Sequence, residues 1–538
     1  MVDEVVDDAA VRAPGRSTTR HHGPVARPAP RALPGQDATE APATTSAHRD
    51  APVRTSGGRR GRVATARPVT AVLGALAVAT VLVAQLPPAG HPTPPTPPAA
   101  AVVGPPAAYA RIALYQEGVA LLPDGTRDEI PAGTDPTFLA GTRVLDPAAR
   151  TMARAVAATT VAAGAATVPP GSADAAAAQR AWLAAGTVPG ADGPYASMSR
   201  AALLDLHTLL LPGGAAVAGW SEKWRYVWPR DASFVAVALA RTGHVDDALD
   251  VLGFLDGVQA DDGSFEARYL PDGSGPPDDR GLQTDGTGWA LWAAGLVVAE
   301  IADPAERAAA AAQLRPLVLR SVEHATGLVA RTGLPPASPD YWEVREKSLT
   351  LGTVVPLVAG LQQAEVLLRL TGDVALADTA GRAALRSQVA TVRAFAGSGY
   401  ARYAVGGHAD AATAFLLSPF LRTAPPGARQ AWLDSAPTML RPASGLAPGA
   451  GWRDDGVSWT PQTSLYAWVA AENGETGLAQ GWLDFLDGHR TAAGSIPEKV
   501  LADGSPAAVA PLGWSAACVL LALDALDASA AGPGDAPR

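Results

Sequence analysis

Cysteine is all but missing from this 538-residue chain: Cys518 is the only one. No intramolecular disulfide can form, and a cysteine-based zinc site is excluded. Cys518 falls in an apolar run, Trp514 to Leu526, where it reads as a small buried thiol. Lysine is nearly as scarce: three of the 42 basic residues are Lys (Lys223, Lys347, Lys499) and the rest are Arg. Residues 1–67 contain no Lys, Phe, Tyr or Trp. With eleven Arg and seven acidic residues they carry +4, so the remainder carries −14 and the whole chain −10. An acidic main body argues against nucleic acid as a partner.

Residues 1–67, rich in Arg and Pro and without periodicity, read as a disordered cytoplasmic segment. Val69 to Leu86 is an apolar run with arginines before it and prolines after it. We expect a transmembrane signal-anchor over 68–86 that leaves the rest of the chain outside the membrane. Secretion after cleavage, near Ala108-Tyr109-Ala110, is the alternative. A proline-rich linker spans 87–106. A small lead-in segment follows over 107–175, with a turn signal at Pro123-Asp-Gly125 and a possible strand at Thr137–Leu145.

From Asp174 onward apolar residues recur at helical spacing. Helices are expected to begin at 176, 197, 230, 245, 284, 304, 346, 373, 408, 426, 460, 476 and 511. Asp303-Pro304 and Thr460-Pro461 each provide an N-cap followed by a first-turn proline. The last twelve helices alternate short joins with long loops. That is the pattern of an all-α (α/α)6 toroid of helical hairpins, here over 176–530, with a short disordered tail at 531–538. The long loops would open at one end.

Those loops, 212–229, 259–283, 326–345, 439–459 and 490–510, hold six of the thirteen tryptophans: Trp220, Trp224, Trp228, Trp342, Trp452 and Trp459. The three lysines fall in or next to them. Trp-Arg-Tyr-Val-Trp-Pro-Arg-Asp (224–231) concentrates flat apolar rings beside an Arg-Asp pair, as a sugar pocket needs. The alternative is a loop plugged into the body by its aromatics. Two loop glutamates suit glycoside hydrolysis, which requires a protonated acid and a second carboxylate. Glu343 follows Trp342, whose indole would desolvate it and raise its pKa. Glu498 precedes Lys499.

Trp-Pro-Arg-Asp at 228–231, Trp-Glu at 342–343 and Ile-Pro-Glu at 496–498, in that order, resemble the characteristic loops of glycoside hydrolase family 15, the glucoamylase family. The resemblance covers about 178–527. It implies inverting, exo-acting hydrolysis of α-linked glucose oligosaccharides or disaccharides, without a cofactor or metal. By that resemblance Glu343 is the general acid and Glu498 the general base. Arg230 and Asp231 grip the terminal glucose, with Trp228 and Trp342 as pocket walls. Tyr226 and Arg345, from the same stretches, complete the expected substrate-binding set. Tyr403 and His408-Ala-Asp410 resemble another recurrent stretch. Val344 stands where fungal members carry a second acidic residue. The family also contains trehalases and glucodextranases, and a catalytically inactive, membrane-tethered glycan-binding protein is the reading from another class. The acidic turn Asp261-Asp262-Gly263 lacks the spacing of an EF-hand loop.

Overall fold

The computed structural model describes residues 109–146 and 171–531. The expected cytoplasmic segment, anchor and linker, and all but the first residue of the tail, lie outside the described residues. The described part is mostly helical.

A hairpin comes first, with β1 (Gln116–Leu121) antiparallel to β2 (Arg127–Pro131). Its turn falls where the sequence signals one: Gly125 has a φ of 81°, and Asp124 accepts the Thr126 backbone N–H. Thr137–Leu145 carries a single isolated bridge, Phe138 to Leu145, in place of a strand.

Two helices lead into the body, α1 (Ser172–Ala185) and α2 (Ala196–Leu209). There follow α3 (Pro229–Arg241), α4 (Val245–Val258), α5 (Thr284–Glu300), α6 (Pro304–Gln313), α7 (Arg315–Leu328), α8 (Leu351–Leu370) and α9 (Val374–Phe395). A 3-10 helix, Ala411–Leu416, precedes α10 (Ala428–Met439), α11 (Thr460–Glu472), α12 (Thr476–Gly488) and α13 (Gly513–Ala531).

The helices form two concentric layers. α3, α5, α8, the 3-10 helix, α11 and α13 each pack on the next, and α13 returns to α3 to close the inner ring. α4, α7, α9, α10, α12 and α2 lie outside them, each against its inner partner. Sequence explains the layering. The inner helices are apolar on nearly every side, so each must be surrounded by protein. An outer helix such as α9 buries only one stripe, Ala377, Ala380, Ala384, Ser387, Thr391 and Phe395. α8 and α13 are long and apolar enough to cross a membrane, and here they are largely buried ring helices.

Three expected helices differ. The one from 304 is broken at Leu314, because Pro316 has no N–H to continue the ladder. The one from 346 begins at Leu351, where Thr350 caps the Thr353 N–H; Glu346 instead pairs with Arg402. The one from 408 is a six-residue 3-10 helix ending ahead of Pro419, since the residue before a proline is driven out of the α region. The Asp303 cap forms as expected, accepting from Ala305 and Glu306.

The ring axis is filled by aromatics. Phe234 lies 5.1 Å from both Trp289 and Trp292 and 5.5 Å from Trp514. Helices α5 and α8 cross at small residues: a Cβ on Gly288 would lie 2.4 Å from the Pro356 carbonyl carbon, and one on Gly360 2.4 Å from the Gly288 oxygen. Gly288→Ala is therefore expected to destabilise the fold by about 1–3 kcal/mol through overpacking. An unconstrained mid-helix Gly→Ala change has the opposite sign. A higher urea midpoint for the variant would contradict this crossing.

Candidate active site

The chemistry-bearing residues gather where inner-ring elements begin. Arg230 and Asp231 lie in the first turn of α3, behind Pro229 at its first position. Asp285 opens α5, Asp410 caps the 3-10 helix, and Pro461 and Trp514 begin α11 and α13. The backbone N–H groups of these first turns give that end of the ring a positive field, which favours carboxylates there.

Glu343 reaches this end on the 326–345 loop. Asp340 shapes the turn: its carbonyl accepts the Glu343 N–H at 2.7 Å, while its carboxylate accepts Trp342 N–H, Thr350 Oγ1 and Arg402. Glu343 ends in the left-handed region, φ 54°, which is costly for a residue with a Cβ. Glu498 arrives from the opposite side. Its N–H donates to Val509 and its carbonyl accepts from Thr460 N–H, while the Thr460 hydroxyl donates to Pro497. Thr460 therefore pins the Glu498 loop rather than capping α11. The loop is also gripped from outside by the lead-in segment: Arg143 pairs with buried Asp205 at 2.6 Å and donates to Ala493.

Glu343, Glu498, Arg230, Asp231 and Trp228 line one cavity, with Trp224, Ala218, Pro461, Leu512 and Trp514. The free space is about 20 Å³, room for one water. Arg230 is 3 % exposed and binds three carboxylates: Asp231 Oδ2 at 3.3 Å, Glu343 Oε1 at 3.2 Å and Asp285 Oδ2 at 3.6 Å. Its guanidinium lies over the Trp514 ring at 5.1 Å. Glu498 Oε2 accepts no hydrogen bond, and Lys499 Nζ is 3.7 Å away. Lys499 itself sits over Trp459.

Burial pushes Asp231 up to about 6; Arg230 opposes this and the Glu343 charge adds to it. Burial likewise pushes Asp285 up to about 7 against Arg230. Glu343 goes the other way, contrary to the expectation of a raised pKa. Burial raises it, but the positive charges around it, with Arg230 and Arg280 in contact, hold it below the ordinary glutamate value. The Trp342 indole does not act as its apolar cover. Arg402 lies over that ring at 3.8 Å, and Trp452 packs edge-on against it at 4.8 Å.

No family model and no curated protein matches the sequence. Solved structures do. A wild-type glycosidase is 21% identical, with a TM-score of 0.50 over 62% of this chain and 96% of its own. A bacterial glucoamylase complexed with acarbose is 16% identical, with a TM-score of 0.54 over 66% of this chain and 59% of its own. The glucoamylase from Saccharomycopsis fibuligera is 13% identical, with a TM-score of 0.51 over 62% of this chain and 95% of its own. The fold is glucoamylase-like.

Within this glucoamylase-like ring, Glu343, Glu498, Arg230, Asp231 and Trp228 lie together in the lining of one cavity. Other expected residues fall elsewhere. Trp342 is held in the Arg402 network and is not part of the lining. Tyr226 is half-buried behind Trp228, under Arg268 at 4.5 Å. Arg345 is exposed and outside the lining, because the chain turns sharply at Glu343. Of the three lysines only Lys499 is buried; Lys223 and Lys347 are exposed. Tyr403 and Asp410 both join the second network, in which Arg402 binds Asp340, Glu346 and Asp410, and Tyr341 donates to Asp410.

Sequence reading missed Arg280, Asp285, Arg402 and Trp514. Asp285 carries the one available signal, an acidic residue at the start of an apolar helix. The Asp262 carboxylate is engaged by the N–H and hydroxyl of Ser264. Among the described residues no group of three or more His, Cys, Asp or Glu is arranged to hold a metal.

Proposed function

We propose that this chain is an inverting, exo-acting α-glucoside hydrolase of the glucoamylase type, with Glu343 as general acid and Glu498 as general base. The observation that carries the reading is one cavity lined by both glutamates and the Arg230–Asp231 pair, with Glu498 Oε2, 3.7 Å from Lys499 Nζ, accepting no hydrogen bond at its wall. A buried carboxylate oxygen without a donor is placed to accept a proton from water. The indole N–H of Trp228, in the same lining, likewise makes no hydrogen bond and is available to a sugar hydroxyl.

In the reaction, Glu343 donates its proton to the glycosidic oxygen as the bond to the anomeric carbon breaks. Glu498 removes a proton from the water that attacks the opposite face. The products are β-glucose and the shortened or free leaving alcohol, and the two carboxyls exchange protonation states with solvent before the next turnover. An inverting pair stands about 6.5–9.5 Å apart, leaving room for that water. The solved neighbours fit an α-glucoside as substrate: one is a glycosidase in complex with glucose, another the glucoamylase complexed with acarbose. The N-terminal anchor at 68–86 would hold the enzyme on the outer face of the membrane, on its 87–106 linker.

The test is glucose release by the full chain from maltose, maltotriose, isomaltose, dextran and trehalose, with the anomer read by NMR. We expect β-glucose from at least one of them. Trehalose or dextran as the sole substrate would select the trehalase or glucodextranase alternative. α-Glucose as first product would overturn inversion. A folded chain silent on every substrate would favour the glycan-binding alternative.

A further inference from the structure

The glutamate proposed as general acid is held at both oxygens. Arg230 takes Oε1 from the floor of the cavity, at 3.2 Å. Arg280, from the loop ahead of α5, takes Oε2 at 2.6 Å. A carboxylate paired in this way has no proton to give to a leaving group.

The two arginines differ in how they are held. Arg230 is 3 % exposed and locked among Asp231, Asp285 and Glu343. The Arg280 side chain is 16 % exposed, lies on a loop, and has a second carboxylate within reach: its Nε is 3.0 Å from Asp278 Oδ2. Asp278 is in turn bound by Arg268, which lies over Tyr226 and Trp228 and donates to the Lys223 carbonyl. Arg280 can leave Glu343 and keep a counter-ion; Arg230 cannot. Arg280 is thus the more exposed and the less constrained of the two arginines that touch Glu343.

We infer that Arg280 is a positioning residue for Glu343: it holds the carboxylate in the empty site and releases it to the leaving-group oxygen when substrate enters. This rests on Glu343 being the acid. The proton balance is simple. On release Glu343 binds one proton from solvent, which it then transfers to the glycosidic oxygen. The charged groups around Glu343 are Arg230 and Asp231 from α3, Asp285 from α5, and Arg280 and Arg268 from the preceding loop. Glu498, with Lys499 behind it, lines the same cavity. Of these, only Arg280 is expected to change place.

The experiment compares wild type, Arg280→Gln and Arg280→Lys as full chains labelled with 13C at the glutamate side-chain carboxyl. The Glu343 resonance is identified by its loss in Glu343→Gln. In the absence of substrate, Arg280→Gln should raise the Glu343 titration midpoint by about one pH unit or more, and Arg280→Lys should restore part of the shift. In turnover, the alkaline limb of kcat/KM should move up with it. The limb of kcat should move far less, because the complex has already lost the contact. An unchanged titration midpoint, or a loss of rate equal at every pH, would overturn the inference. Since the titration needs no substrate, an inactive chain would sink the hydrolase reading while the Arg280–Glu343 coupling was still measured.

Discussion

Glu343→Gln and Glu498→Gln are each expected to reduce glucose release by about 10²–10⁴-fold, the usual contribution of one general acid or base. The losses should differ in kind. As the proposed general acid, Glu343 would protonate a departing oxygen, so its variant should recover most of its rate on α-glucosyl fluoride, whose leaving group needs no proton. As the proposed general base, Glu498 would activate the attacking water, so its variant should remain slow on the fluoride. Both side chains are almost completely buried, and glutamine preserves their volume, so melting temperatures should stay close to wild type or rise. Equal recovery of both variants on the fluoride would show that the two roles are wrongly divided. Unchanged activity in either would remove that residue from the mechanism.

The second large effect is on stability. Arg230→Met removes the cation shared by Asp231, Asp285 and Glu343, and breaking such a buried pair costs about 3–5 kcal/mol. The cost should depend on pH, with a definite sign. Asp231 titrates at about 6 and Asp285 at about 7 in the folded chain, both above their unfolded values. Stability from each is fully present below the unfolded pKa and is lost as pH rises through the folded one. At about pH 5 both aspartates are largely neutral and need no cation, so the variant's deficit should shrink to what Glu343, still ionised, loses with Arg230. From there to about pH 8 they must ionise without Arg230, and its melting temperature should fall much more steeply. Two parallel melting curves, offset equally at all pH values, would mean that Arg230 contributes through packing on Trp514 alone.

This pH behaviour was not legible in the sequence, and the reason is particular. Arg230 and Asp231 stand out as neighbours in Trp-Pro-Arg-Asp, but the burial that raises Asp231 is a tertiary effect, and the other carboxylates on Arg230, Asp285 and Glu343, are 55 and 113 positions away from it. The opposite direction expected for Glu343 has the same origin. An adjacent tryptophan suggested desolvation, while the actual neighbours are guanidiniums delivered by two other segments. Trp514 reads as core because it sits beside Cys518 in an apolar run; only its position at the start of an inner helix turns its ring toward the cavity. Arg345 shows the converse. It belongs to the right motif, but the turn at Glu343 leaves it exposed.

The sequence by itself determined most of the helices and their order in pairs. Those depend on local quantities: apolar spacing at 3.6 residues, capping residues, and prolines that stop a ladder. Even the departures at Leu314 and before Pro419 have local causes. Ring closure of α13 onto α3, the aromatic filling of the axis and the convergence of inner-helix starts on one cavity were decided only in the tertiary structure. So were the partners of every buried charge. Coulomb attraction and desolvation act through space, and separation along the chain does not reveal which arginine will stand beside which carboxylate.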